Sequence, residues 1–220
     1  MDGLYDLYFK LKGLSIILFG EPGIGKTYLC AYLCGKAYET TNNKPIYLVL
    51  DENLRTSYGR SIKKIANAEW KEFDSINDLW VYIATQLFMD ATSASLVVLD
   101  SITGVQEEIL SILKGPDDPR LTMIMSRYAT LITKQFAKIA HKCGIPTIII
   151  SHPSALFKDS PIWETKQKPA FLGRAIKNID LVLEYVITSK GRRYLKPRIF
   201  RDIEKKPPFE YIDIDKVLGG

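Results

Sequence analysis

Residues 20 to 27 read GEPGIGKT. This G-x-x-x-x-G-K-T spacing constrains the fold more than any other stretch, because it works only where a buried strand turns sharply into a helix. The flanks supply that context. SIILF precedes the loop as an apolar, β-branched run, and KTYLCAYLCGKAYE follows it with helical spacing. Gly23 and Gly25 let the backbone turn so that successive N–H groups can face phosphate oxygens, and the following helix adds its positive N-terminal end. In such a loop Lys26 would bridge the terminal phosphates of a nucleotide and Thr27 would hold Mg²⁺. The expected nucleotide contacts are therefore Gly20, Glu21, Pro22, Gly23, Ile24, Gly25, Lys26, Thr27 and the adjoining Tyr28. The competing reading is a glycine-rich turn without a ligand.

Further apolar runs recur as PIYLVL (45 to 50), SLVVL (95 to 99) and PTIII (146 to 150), with helical patterns between them. Strands of this kind are buried on both faces, and their alternation with helices predicts an α/β fold with a mostly parallel central sheet. Residues 121 to 144 form the clearest long helix, with Gly144 suited to the position just past its end and His141 to its negative last turn. After residue 180, DLVLEYVI, RRYLKPRIF and FEYIDI follow one another on short links and are expected to be antiparallel strands appended to the sheet. No repeat or long linker divides the chain, so residues 1 to 220 are expected to form one domain. The irregular stretches are 115 to 120 and 153 to 170.

With 220 residues and 46% apolar content, the chain can bury a substantial core. Thirty basic against 25 acidic residues give a formal charge of +5, an excess too mild to identify nucleic acid by itself. The opening MDGLYDLYFKLKGLSIILFG carries two early acids, no basic leader and no run of bilayer length, so a cytoplasmic protein without a membrane partner is expected. Cys30, Cys34 and Cys143 lack metal spacing and are expected to be free thiols.

Phosphoryl chemistry needs one carboxylate near the metal and usually another to polarise the attacking water. SLVVLD ends at Asp100 and IYLVLDE ends at Asp51 and Glu52. Parallel strands share their carboxyl edge, so these acids would face the phosphate loop. Asp100, a single acid closing an apolar strand and followed by Ser101 and Thr103, is the candidate on the metal side, acting through water. Its alternative is a cap on the next helix. Asp51 or Glu52 is then the water-polarising group by elimination, unless the pair merely begins a surface turn. The chain lacks the arginine-rich lid of small-molecule kinases and the adjacent acids on one strand of AAA-type motors.

GEPGIGKT, YLVLDENLRTSYGR, LVVLDSITG, IPTIIISH, PAFLGRAIKNIDLVLEY and GRRYLKPRIFRD, in that order, resemble the RecA superfamily. Within it they are most similar to the archaeal RadA and RadB recombinase group and its short RadC-like paralogs. The resemblance implies a RecA-like P-loop NTPase core that hydrolyses ATP with Mg²⁺ in homologous recombination and DNA repair. It lays Tyr47 to Asp51 on the strand that ends in the family's catalytic glutamate, with Glu52 one step away; KaiC-like relatives carry two adjacent acids there. It also sets Arg55 and Tyr58 against the adenine. The chain begins only a few residues before its first core strand, so a monomer, small homo-oligomer or accessory subunit beside a RadA-type recombinase is expected rather than a filament.

In the same resemblance His152 stands where the family's strand ends in a glutamine that senses the terminal phosphate. An imidazole can donate to a γ-phosphate oxygen and lose that bond after hydrolysis; the alternative is a histidine capping the strand. The loop beyond it carries Phe157, Lys158, Trp163, Lys166 and Lys168, a composition suited to stacking on bases and holding the backbone of single-stranded DNA, or to an ordinary surface loop. Arg192, Arg193, Lys196, Arg198 and Arg201 lie where relatives place cations that reach the nucleotide, with Lys196 or Arg198 the candidates. A solvated strand face would have the same composition. Two other readings remain: a KaiC-like regulatory ATPase without a DNA role, and an ATP-gated interaction subunit with little turnover.

Overall fold

The computed structural model describes residues 3–50, 54, 56–112, 120–154, 168–169, 173–201 and 207–219. The chain opens with helix α1 (Gly3–Leu11), strand β1 (Ser15–Phe19), helix α2 (Lys26–Thr41), strand β2 (Ile46–Val49), helix α3 (Ser57–Ala66) and strand β3 (Glu69–Glu72). Helices α4 (Ile76–Thr85) and α5 (Leu87–Ala91) lead to strand β4 (Val97–Asp100), helix α6 (Ile102–Ile112), helix α7 (Leu121–Cys143) and strand β5 (Thr147–Ser151). The short strands β6 (Pro153–Ser154) and β7 (Lys168–Pro169) pair with each other. A 3-10 turn over Gly173–Asn178 then feeds β8 (Leu181–Ile187), β9 (Arg193–Phe200), β10 (Ile212–Asp213) and helix α8 (Ile214–Val217).

The main sheet has the order β10-β9-β8-β1-β5-β4-β2-β3. From β8 to β3 every neighbouring pair is parallel, while β9 and β10 are antiparallel. The strands after residue 180 are antiparallel to one another in turn, as expected, and β8 joins them to the sheet by running parallel to β1. Its start is fixed there by polar contacts that the apolar pattern does not encode. The Asp180 N–H donates to the Ser15 carbonyl and hydroxyl, and the Asp180 carboxylate accepts from the Ser15 N–H at 2.8 Å and hydroxyl at 2.7 Å. His141, read from sequence as a helix-end residue, adds its Nε2 at 2.9 Å from the same carboxylate.

Strand side chains alternate between two cores, as the period of two requires. On one face, Leu29, Cys30, Leu33 and Ala37 of α2 pack against Ile16, Leu18, Tyr47, Val98 and Ile148. On the other, Ile132, Phe136 and Ile139 of α7 pack against Ile17, Phe19, Leu48, Leu99 and Ile149. Gly144 ends α7 in the left-handed region (φ 67°) with its N–H on the Ala140 carbonyl, as its sequence position predicts. The three cysteines are free, two of them buried within α2. Among the described residues no helix is long and apolar enough to cross a membrane.

Helix α1 and the edge strand β3 are among the elements that the sequence pattern does not mark. Helix α1 buries Leu7, Tyr8 and Leu11, and the edge strand β3 reads only EWKE, too short and charged to stand out. β3 exists because Glu69 and Phe73 donate to the Pro45 and Val49 carbonyls of the neighbouring chain segment.

Candidate functional site

The register brings the strand ends together. Phe19 lies opposite Ser151 on one side and Glu184 on the other, and Asp100 lies opposite Val49. The carboxyl ends of β1, β2, β4, β5 and β8 therefore share one edge of the sheet. The GEPGIGKT loop leaves β1 at that edge. A Cβ on Gly20 would stand 2.6 Å from the Tyr185 carbonyl oxygen and 2.6 Å from the Ile24 side chain, so only glycine lets the loop pass over β8. Gly23 and Gly25 adopt φ of 77° and 101°, and Gly25 is the cap that precedes α2.

Lys26 follows immediately and is 5% exposed. Its Nζ donates to the carbonyls of Gly20 at 2.7 Å and Glu21 at 2.8 Å, so the loop's own backbone holds the ammonium. Burial lowers the ammonium to about 8, against the opposing pull of the Asp100 carboxylate and then of Cys30 and Glu21. Thr27, in the first turn of α2, is half-buried. Asp100 is 3% exposed and accepts a hydrogen bond from the Tyr47 hydroxyl at 2.8 Å. Tyr28, next to the loop in sequence, sits edge-on to the exposed Tyr58 ring, with centroids 5.6 Å apart.

His152 directly follows β5 and is half-buried. Its backbone N–H donates to the Thr103 hydroxyl at 3.1 Å, and its carbonyl accepts from the Ser151 hydroxyl at 3.0 Å. Thr103, one of the two hydroxyl residues after Asp100, thereby ties the β4 exit to the β5 exit. Of the two basic candidates, Lys196 is exposed and lies opposite Glu184 in the sheet. Arg198 is paired to the Glu184 carboxylate, with Nε 2.6 Å from Oε2 and a second contact through Nη2. An Arg198 that contacts phosphate must first leave that partner.

Asp51, Glu52, Arg55, Lys158, Trp163 and Lys166 lie outside the described residues. Lys168 is described only as backbone, paired through β7 to Ser154. Two residues at this edge carried no sequence signal: Tyr47, bonded to Asp100, and Tyr185, whose hydroxyl lies 3.6 Å from where a Cβ on Gly25 would stand. Each occupies an ordinary apolar strand pattern, and only the strand register reveals what it touches.

No family model and no curated protein matches the chain. Among solved structures, it is similar to a KaiC-like protein from the hyperthermophilic archaeon Pyrococcus horikoshii, at 16% identity and a TM-score of 0.53. The match covers 92% of this chain and 89% of that one. The fold is RecA-like.

In this RecA-like core, the donors fit a Mg²⁺–nucleotide. Among the described residues no group of three or more His, Cys, Asp or Glu could hold a metal ion. Among the described residues, this edge offers the Asp100 carboxylate, the Thr27 hydroxyl and the Lys26 ammonium, with the Glu184 carboxylate already paired to Arg198. That sparse set suits Mg²⁺, which keeps waters and takes its remaining ligands from phosphate oxygens.

Proposed function

We propose that this chain binds ATP with Mg²⁺ on the Gly20–Thr27 loop and hydrolyses it. The observation that carries this reading is a buried lysine ammonium, held by loop carbonyls beside a buried aspartate, where a glycine loop enters a helix. Loop N–H groups and the start of α2 would take the phosphates, Lys26 would exchange its carbonyl partners for phosphate oxygens, and Thr27 and Asp100 would position the metal. Mg²⁺, when bound, supplies neutralisation of the charge that develops on the transferred phosphoryl group. Asp51 or Glu52 would polarise the attacking water, and His152 would report whether the terminal phosphate is present.

The finer reading is a recombinase paralog that assists DNA recombination and repair, binding single-stranded DNA and a RadA-type recombinase. Its support is the order of motifs along the chain and the basic, aromatic composition of residues 157 to 168. ATP turnover measured with and without single-stranded DNA tests both levels. The expectation is turnover that DNA stimulates and that Lys26→Ala abolishes. An unchanged rate in Lys26→Ala overturns the phosphate-loop assignment. A rate indifferent to DNA overturns the recombination role and leaves a regulatory ATPase. Tight ATP binding without turnover leaves an ATP-gated interaction subunit.

A further inference from the structure

The carboxylate of Asp100 does not set its own orientation. Tyr47 lies on β2 in register with Val98 of the neighbouring β4, two residues before Asp100. Side chains two apart on a strand share a face, so the Tyr47 ring runs diagonally along the sheet toward Asp100. Its hydroxyl donates to Oδ2 at 2.8 Å, in a place where Tyr47 is wholly buried and Asp100 nearly so.

The ring itself is held from the far side. Trp70 of β3 stacks on it with centroids 4.6 Å apart and planes at 13°. The Trp70 indole Nε1 is buried and has no hydrogen-bond partner among the described residues, so its flat face, not its polar group, accounts for its place. Burial, and then the charge of Asp100, push the Tyr47 hydroxyl well above its ordinary value, so it remains a proton donor across the physiological range.

We infer that Tyr47 is a positioning residue for metal-dependent nucleotide binding, fixing the Asp100 carboxylate through its hydroxyl while Trp70 fixes the Tyr47 ring. The inference rests on the proposal that this site takes a Mg²⁺–nucleotide. A carboxylate that works through one oriented face gains from a partner that removes its rotation, and outer hydrogen-bond partners of metal-site groups commonly matter about 10- to 100-fold in metal affinity.

The test uses the full chain and a fluorescent ADP analogue, titrated in EDTA and then against Mg²⁺, for the native protein, Tyr47→Phe, Asp100→Asn and the double variant. Tyr47→Phe keeps the ring that Trp70 stacks on. It should leave nucleotide affinity in EDTA within about twofold while raising the Mg²⁺ concentration needed for tight binding at least tenfold. In the Asp100→Asn background the same substitution should have almost no further effect on the Mg²⁺ requirement. A purely structural tyrosine would instead weaken binding in EDTA as well, or would add its full effect on top of Asp100→Asn; either result overturns the inference. Should Tyr47→Phe alone fail to fold, Trp70→Leu, which removes the stacked face and keeps the Tyr47 hydroxyl, takes its place in the same titrations and should raise the Mg²⁺ requirement while sparing affinity in EDTA; an unchanged requirement overturns the inference. Failure of the native protein to bind the analogue at all overturns the nucleotide site itself and the inference with it, an outcome distinct from binding that Tyr47→Phe leaves equally responsive to Mg²⁺.

Discussion

With its Nζ held 2.7 and 2.8 Å from two loop carbonyls and its ammonium lowered to about 8, Lys26 titrates in a range where an exposed lysine does not. Between about 8 and its ordinary 10.5 the folded, ligand-free protein holds fewer protons here than the unfolded chain. This residue therefore opposes folding at low pH and ceases to do so as pH rises through that window. A bound polyphosphate reverses the balance by favouring the charged form. Nucleotide binding should take up a proton at about pH 8.5 and almost none at about pH 7, so affinity should weaken as pH rises past 8. Calorimetry in two buffers of different ionisation enthalpy measures this directly, and equal heats in both buffers at the higher pH would contradict it. At this scale the phosphate loop was legible in the sequence because its glycine requirement is local. Asp100 was legible as a lone acid closing an oily strand. Its partner Tyr47 was not, since their contact depends on how β2 and β4 align, a register that nothing within either strand states.

Among the elements, the junction of β1, β8 and α7 turns on one carboxylate. Asp180 accepts from the N–H and hydroxyl of the fully buried Ser15 and meets the exposed His141 at the end of α7. Asp180→Ala would leave two buried donors unsatisfied, a loss of about 3 kcal/mol on urea unfolding. His141→Ala, which removes only an exposed contact, should cost less than about 1 kcal/mol. Similar losses from both would show that the imidazole, not Ser15, is the essential partner. This junction also sets the direction of β8, parallel to β1 and antiparallel to β9. Apolar runs signal burial but carry no sign, and the polar pins that orient β8 sit one residue outside the run. The long helix α7 was legible because its periodicity and its closing glycine are both local signals. Strand β3 was not, because its existence depends on the carbonyls of β2.

For the molecule as a whole, the main sheet divides two cores, and the Gly20–Thr27 loop crosses the edge where both meet. A ligand that binds only the folded chain should therefore stabilise all of it at once. Mg²⁺–ATP at about 100 times its dissociation constant should add about 2.7 kcal/mol. For a chain of this length that corresponds to a melting shift of about 5 to 10 °C. Thermal unfolding followed with and without nucleotide checks this, and a comparable shift in Lys26→Ala would place the ligand elsewhere. The sheet's two ends have a separate consequence. One is the four-residue β3, bearing Glu69, Lys71 and Glu72, and the other is the two-residue β10. Among the described residues, charge guards β3, while β10 covers only Tyr194 and Leu195 of the eight-residue β9, where Pro197 interrupts the row of N–H donors. Self-association through these rims is thereby disfavoured. A continuous ribbon of copies joined edge to edge is therefore not the expected form of association.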